Sequence, residues 1–169
     1  MPLRNVITIP HPLLSRVADE IGSASQELAG DLVDTMYGSP ACVGLAAPQI
    51  EVGLRAFVVD VSKHRAMAGK ISNGLIVLFD PIVSCSGDRE VAREVAREGC
   101  MSVPDFTCDV ERYTNISVTG IGLDGKKCHI EAEGFEARAI QHEVDHLDGL
   151  LILDRVTGPH GIFQRKVYK

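Results

Sequence analysis

The sequence has no apolar run near the ~20 residues that a membrane-spanning helix needs, so no helical membrane span is expected. Residues 1–10 hold one arginine and no long apolar stretch ahead of a small-residue cleavage site. No signal peptide is expected, and the segment is too poor in Arg and Ser for a transit peptide. There is no CxxC pair. The five cysteines, at positions 42, 85, 100, 108 and 128, are odd in number and irregularly spaced. That argues against a secreted disulfide framework and for a reducing compartment. A basic excess is also missing. The net charge of −6 argues against a general nucleic-acid binder and against specific DNA binding, while leaving room for a local basic patch. No linker interrupts the chain, so residues 1–169 are read as one domain, long enough to bury a full core. With 45% apolar and 24% charged residues, the composition is that of an ordinary soluble globular protein.

What is present reads as a mixture of helix and strand. Ser23-Ala-Ser-Gln26 has the form of a helix-start capping box, followed at helical spacing by Leu28, Leu32, Val33, Met36 and Tyr37. Gly38 and Pro40 stop that helix. Residues 54–61 and 75–83 are apolar, β-rich runs, expected as buried strands. Residues 115–123 and 126–132 flank Asp124-Gly125, a hairpin signal. A helix is expected over 135–147, ended by Gly149, then a short strand or extended segment over 150–153. Val91-Ala-Arg-Glu recurs as Val95-Ala-Arg-Glu98, too briefly for a repeat architecture. It is expected as a solvated surface element, helix or strand.

His142-Glu143-Val144-Asp145-His146 is an HExxH pattern. On a helix, residues four apart share a face, so both imidazoles can hold one metal ion while Glu143 reaches a water on it. Two unrelated surface histidines would give the same pattern by chance in roughly one sequence in a hundred. The stripe Phe135, Ala139, His142 and His146, apolar at one end, favours the metal reading.

A catalytic site needs a third protein ligand and an open position. Gly149 suits an extended HExxHxxGxxH form, but Ile152 stands at its last position and no Glu follows Glu143. Asp148, Asp154 and His160 stay open downstream; Asp148 is a poor candidate, pointing about 200° round the helix from His146. Upstream, Cys100 follows Gly99 in a turn-forming context and is a candidate thiolate ligand. Cys85, Cys108 and Cys128 are read as small buried hydrophobes.

Three separated motifs resemble those of peptide deformylase and stand in that family's order: Val43-Gly-Leu-Ala-Ala-Pro-Gln49, Glu98-Gly-Cys-Met-Ser102 and Gln141-His-Glu-Val-Asp-His146. The resemblance implies an α+β fold, with strands packed around a central C-terminal-half helix carrying HExxH. It implies a metallohydrolase that removes the formyl group from the N-terminal formyl-methionine of newly made polypeptides, its peptide partners. Cys100, His142 and His146 are then the ligands of Fe²⁺, with Zn²⁺, Ni²⁺ or Co²⁺ able to substitute. Glu143 is the catalytic carboxylate, and the Gln49 amide and the Met101 backbone N–H donate to the developing oxyanion. Val43, Phe135, Arg138 (through its stem) and Ala139 are candidates for the methionine pocket, and Gly44 for backbone pairing with an extended peptide. Phe135 reads equally well as core. Glu98 and Arg112 are expected to pair and orient the Cys100 turn.

Departures from the family are Cys42 in place of a common Gly, Asp80-Pro81 in place of Asn-Pro, a longer 87–98 stretch, and a reduced C-terminal helix. Asp80 is expected to be a mild change. Arg165, Lys166 and Lys169 suggest a transient ribosome contact, with cations in a final helix turn as the plainer reading. The location implied is cytoplasmic, or an organelle of bacterial origin if a transit peptide was trimmed. Two rivals stand beside this reading. A small HExxH endopeptidase would need a downstream third ligand, and a closed structural zinc module would need a fourth protein ligand and has no use for Glu143.

Overall fold

In a computed structural model of the chain, which describes residues 3–85 and 92–166, the expected mixture of helix and strand forms around two antiparallel sheets. The first helix, α1 (Gln26–Gly38), is capped by Ser25, whose hydroxyl accepts the Leu28 amide at 3.3 Å. The Ser23–Gln26 capping box does not form; the Gln26 amide instead donates to the Leu123 carbonyl at 2.8 Å. Leu28, Leu32 and Met36 are buried, whereas Tyr37 is exposed.

One sheet has the order β1 (Gly44–Ala46), β2 (Ala56–Val59), β3 (Ile76–Cys85), β6 (Asn115–Ile121), β7 (Lys127–Glu133). Strand β2 is buried on both faces, because alternate side chains serve different layers. Ala56 and Val58 pack with α1, and Phe57 and Val59 pack with Ala137, Ile140 and Leu147 of the second helix, α2 (Gly134–Leu147). The sheet is thereby held between the two helices. The β6–β7 hairpin turns through Gly125 at φ +78°, with the Asp124 carboxylate accepting the Lys126 amide. Asp80 has a defined structural place. It sits at φ +47°, where β3 shifts register against β6, and its carboxylate accepts the Ile21 and Gly22 amides at 2.9 and 2.7 Å.

The other sheet has the order β4 (Arg93–Cys100), β5 (Val103–Tyr113), β8 (Ile162–Gln164). The solvated element expected at the four-residue repeat is a strand that is solvated only at first. Val95 is half exposed, but Glu98 and Cys100 are buried because β4 runs inward to α2. Residues 87–91 of the longer stretch, Val91 among them, lie outside the described residues. Residues 150–153 form no strand; a 3₁₀ turn spans Ile152–Asp154, with the Asp154 carboxylate accepting the Leu151 amide at 2.8 Å. Near the C-terminus, Ile162–Gln164 form strand β8, Arg165 and Lys166 follow it without a helix turn, and Lys169 lies outside the described residues. Gly149 (φ +71°) lets α2 end against residues 15 and 16, whose backbone lies 2.9 Å from where a Cβ would stand. Among the described residues, no helix is long and apolar enough to cross a membrane.

Candidate active site

Two tight turns and one helix build the site. Strand β4 ends at Cys100, and a register shift there reverses the chain through Met101 and Ser102 into β5. Strand β1 runs into a 3₁₀ turn, Ala47–Ile50, that buries Gln49. Helix α2 presents His142, Glu143 and His146 between them.

The ligand atoms of Cys100, His142 and His146 lie within 4.8 Å of one another, and no fourth metal-binding side chain joins them among the described residues. Cys100 Sγ and His146 Nε2 are 3.3 Å apart. Metal bonds of roughly 2.3 Å to sulfur and 2.1 Å to nitrogen at a tetrahedral angle leave such a pair roughly 3.6 Å apart, so this edge suits one divalent ion. Burial would push the Cys100 thiol up, yet the His146 charge and hydrogen bonds from both imidazoles hold it well below the usual thiol range. Burial likewise opposes protonation of His142, while hydrogen bonds to Cys100 and Glu98 hold its pKa well above the ordinary value. A thiolate held against the His142 imidazolium and the His146 ring is a site where a metal cation can replace a proton. The downstream alternatives are occupied elsewhere: Asp148 pairs with Arg55 at 2.8 Å, Asp154 caps Leu151, and His160 is exposed.

Glu98 is buried at the centre of a charged network. Its carboxylate accepts from Arg112 Nε and Nη2 at 3.0 Å each, from Arg138 Nη1 at 2.8 Å, and from His142 Nδ1 at 2.9 Å. Burial pushes its pKa up, but His142 and Arg112 overcome that and keep it ionised. With Nδ1 engaged, Nε2 is the nitrogen His142 offers to a metal. The expected Glu98–Arg112 pair is therefore real, and wider than expected, because Arg112 also pairs with Asp145, which Arg155 holds at 2.8 Å. Arg138 is less an apolar wall than a strut; its guanidinium donates to Glu98 and to the Val110 and Glu94 carbonyls.

Glu143 is buried, and its Oε2 has no hydrogen-bond partner among the described residues. Burial raises its pKa to about 7 against the lowering charges of His142 and His146. A Cβ at residue 44 would collide with Glu143 Oε1, so only glycine lets the carboxylate rest against β1. Gln49 is buried with its Oε1 accepting the Ala46 amide at 3.0 Å and its Nε2 3.2 Å from Ser102 Oγ and 3.9 Å from Cys100 Sγ.

Beside this cluster opens a cavity of about 430 Å³ lined by Val43, Gly44, Met101, Phe135, Arg138 and Ala139, among others. All the expected pocket residues meet there. Phe135 both lines it and packs on the core, stacking on His64 at 4.3 Å. Sequence reading gave no role to Ser102 and Asp145, though both stand inside the quoted motifs, and it missed the contacts of Arg155 and Arg165, which carry no local signal for the site. Of the cysteines read as buried hydrophobes, Cys108 is buried, Cys128 is partly buried and Cys85 is exposed.

Residues 3–160 match the family model described as polypeptide deformylase. A peptide deformylase of Desulforudis audaxviator is 40% identical over 98% of this chain and 99% of that protein. One from Bartonella tribocorum is 38% identical over 93% of this chain and 86% of its own. Among solved structures, the Thermotoga maritima peptide deformylase superposes with a TM-score of 0.79 at 32% identity, covering 94% of this chain and all of that one. A Met-Ala-Ser-bound class I type b peptide deformylase from Acinetobacter baumannii gives 0.81 at 28% identity, covering 92% and 99%.

Proposed function

Given that the chain belongs to the peptide deformylase family and is an enzyme of that activity, we propose that Glu143 is its proton carrier and that Cys100, His142 and His146 hold its metal. The reaction removes the formyl group from N-terminal formyl-methionine. The observation that carries the residue assignment is the buried, unpartnered Glu143 Oε2 beside a Cys–His–His cluster.

When bound, a divalent ion supplies Lewis acidity that polarises a carbonyl and acidifies water. Glu143 takes the proton released as water attacks the formyl carbon and returns it to the amine nitrogen, which leaves poorly unless protonated. A carboxyl group poised at about 7 can do both near neutral pH. Gln49 Nε2, aimed at the Cys100 turn and oriented through Ala46, donates to the oxygen that gains charge, together with the Met101 backbone N–H. Glu143, Gln49 and Cys100 crowd together, which favours a carbonyl bearing only hydrogen over acetyl. Val43, Phe135, Ala139 and the Arg138 stem line the space for the methionine side chain, each buried CH₂ contributing ~0.8 kcal/mol. Gly44, on the edge strand β1, offers backbone groups to an extended peptide.

Ferrous ion is the metal proposed. General affinity order favours Zn²⁺ over Fe²⁺, so cellular supply decides, and thiolate with ferrous iron predicts inactivation in air. We place the enzyme in the cytoplasm, acting as a single catalytic domain. A transient ribosome contact would rest on Lys166 rather than Arg165, whose guanidinium is turned to the Cys100 carbonyl. Salt-insensitive pelleting with ribosomes, unchanged on deleting the tail, would remove that contact. The main test is an anaerobic assay on formyl-Met and acetyl-Met peptides with metal analysis, comparing the parent with Glu143→Ala. Formyl selectivity, retained metal and lost turnover in the variant are expected; equal activity of the two proteins ends the Glu143 assignment.

A further inference from the structure

The cavity mouth is cationic in a chain whose net charge is −6. Arg65, Arg97, Arg138 and Arg165 line it, against the carboxylates of Glu98 and Glu143. Glu98 and Arg138 are buried and satisfy each other. Arg97 is partly neutralised by Asp109 at 2.6 Å. Arg65 and Arg165 have no carboxylate partner among the described residues.

The placement of Arg97 and Arg165 is built by the C-terminal segment. Strand β8 pairs Phe106↔Gln164, Thr107↔Phe163 and Cys108↔Ile162, and the Arg165 amide continues the ladder to the Asp105 carbonyl at 2.8 Å. This register lays the Phe163 ring 3.4 Å from the Arg97 guanidinium. It also carries the Arg165 guanidinium over Gly99, where a Cβ would stand 2.5 Å from Nη2. Arg165 donates from Nη2 to the Cys100 carbonyl at 3.2 Å. A guanidinium has five N–H donors in a planar fork, so this one hydrogen bond leaves donors to spare on a side chain that lines the cavity.

Resting on the deformylase reading, we propose that Arg165 and Arg97, seated by strand β8 at the mouth of the cavity, form a subsite for a carboxylate on the peptide downstream of formyl-methionine. The carboxylate comes from an acidic side chain or from the C-terminus of a short peptide. The preference is electrostatic, so it weakens as salt screens it.

The test compares kcat/KM at low and high salt for two amidated series, formyl-Met-Xaa-Ala-amide and formyl-Met-Ala-Xaa-amide, with Xaa as Glu, Gln or Lys. Formyl-Met-Ala-Ala is added as acid and as amide. The expected result is a Glu-to-Lys ratio of about tenfold in one series, falling severalfold at 0.5 M salt. The ratio should flatten in the R97Q/R165Q double variant and be kept by R165K. An acid-over-amide preference without a Glu preference assigns the subsite to a C-terminal carboxylate. The ratio is internal to each protein, so poor folding does not mimic the effect. A flat ratio in the parent, or an unchanged ratio in the double variant, overturns the subsite and leaves Arg165 as a prop for the Cys100 turn. Failure to hydrolyse even the Gln peptides would instead overturn the deformylase reading.

Discussion

Glu98 Oε2 lies 2.9 Å from His142 Nδ1, and this one contact ties the β4 strand to the helix that carries two of the three metal-binding side chains. The same carboxylate is pinned by Arg112 and Arg138, so ligand orientation is set by a buried ionic network rather than by the helix alone. Glu98→Gln should therefore weaken metal retention by 10- to 100-fold, read by competition with a chelator. Arg112→Ala should cost about 3 kcal/mol of stability in denaturant titration, because it leaves the buried Glu98 and Asp145 each with one fewer arginine, held only by Arg138 and His142 and by Arg155. Unchanged metal content and turnover in that variant would refute its orienting role.

Gly44 and Glu143 make a second prediction. A methyl group at residue 44 collides with the carboxylate, so Gly44→Ala should move Glu143 off β1. The three atoms nearest that methyl all belong to Glu143, so metal content should stay near stoichiometric while kcat falls at least tenfold. A variant with full kcat would mean that the carboxylate works from another position.

Gln49 bears on the transition state. Gln49→Leu keeps an apolar volume of similar size but removes the donor held near Cys100. Loss of one such donor typically lowers kcat by about 10²–10³, with a smaller change in KM. A change confined to KM would move Gln49 from oxyanion stabilisation to substrate binding.

Cys42, which lines the cavity, makes a pH-dependent prediction. Burial and the nearby Glu143 charge push its thiol up to about 12. Only the thiolate is alkylated, so near pH 8 its labelling by iodoacetamide should be about a thousandfold slower than that of an unperturbed cysteine. The rate should rise about tenfold per pH unit up to that value. Exposed Cys85 serves as the internal comparison by peptide mapping. Fast labelling of Cys42 at neutral pH would contradict the burial of its thiol.

The chemistry was legible where it is local in the chain. The i, i+4 histidines and the glutamate between them lie on one helix, whose geometry follows from 3.6 residues per turn whatever surrounds it. The Asp124-Gly125 hairpin was legible for the same reason. The Ser23 cap was misread because two serines compete at that helix start; Ser25 caps it, and the Gln26 side chain that a box with Ser23 requires bonds the distant Leu123 carbonyl instead. The 150–153 segment was half legible: Leu151 is buried and extended, but apolar content alone does not reveal that the Asp154 carboxylate closes a turn over Ile152–Asp154.

Sequence by itself singled out the side chains proposed to meet the metal and the substrate, since those side chains sit in short motifs with their own backbone geometry. Only the tertiary structure decided what holds them. Glu98 among two arginines and a histidine, Asp145 under Arg112, and Arg165 over Gly99 are long-range pairs. A buried charge finds its partner wherever folding brings opposite charge close enough to offset lost water, and no spacing along the chain encodes that.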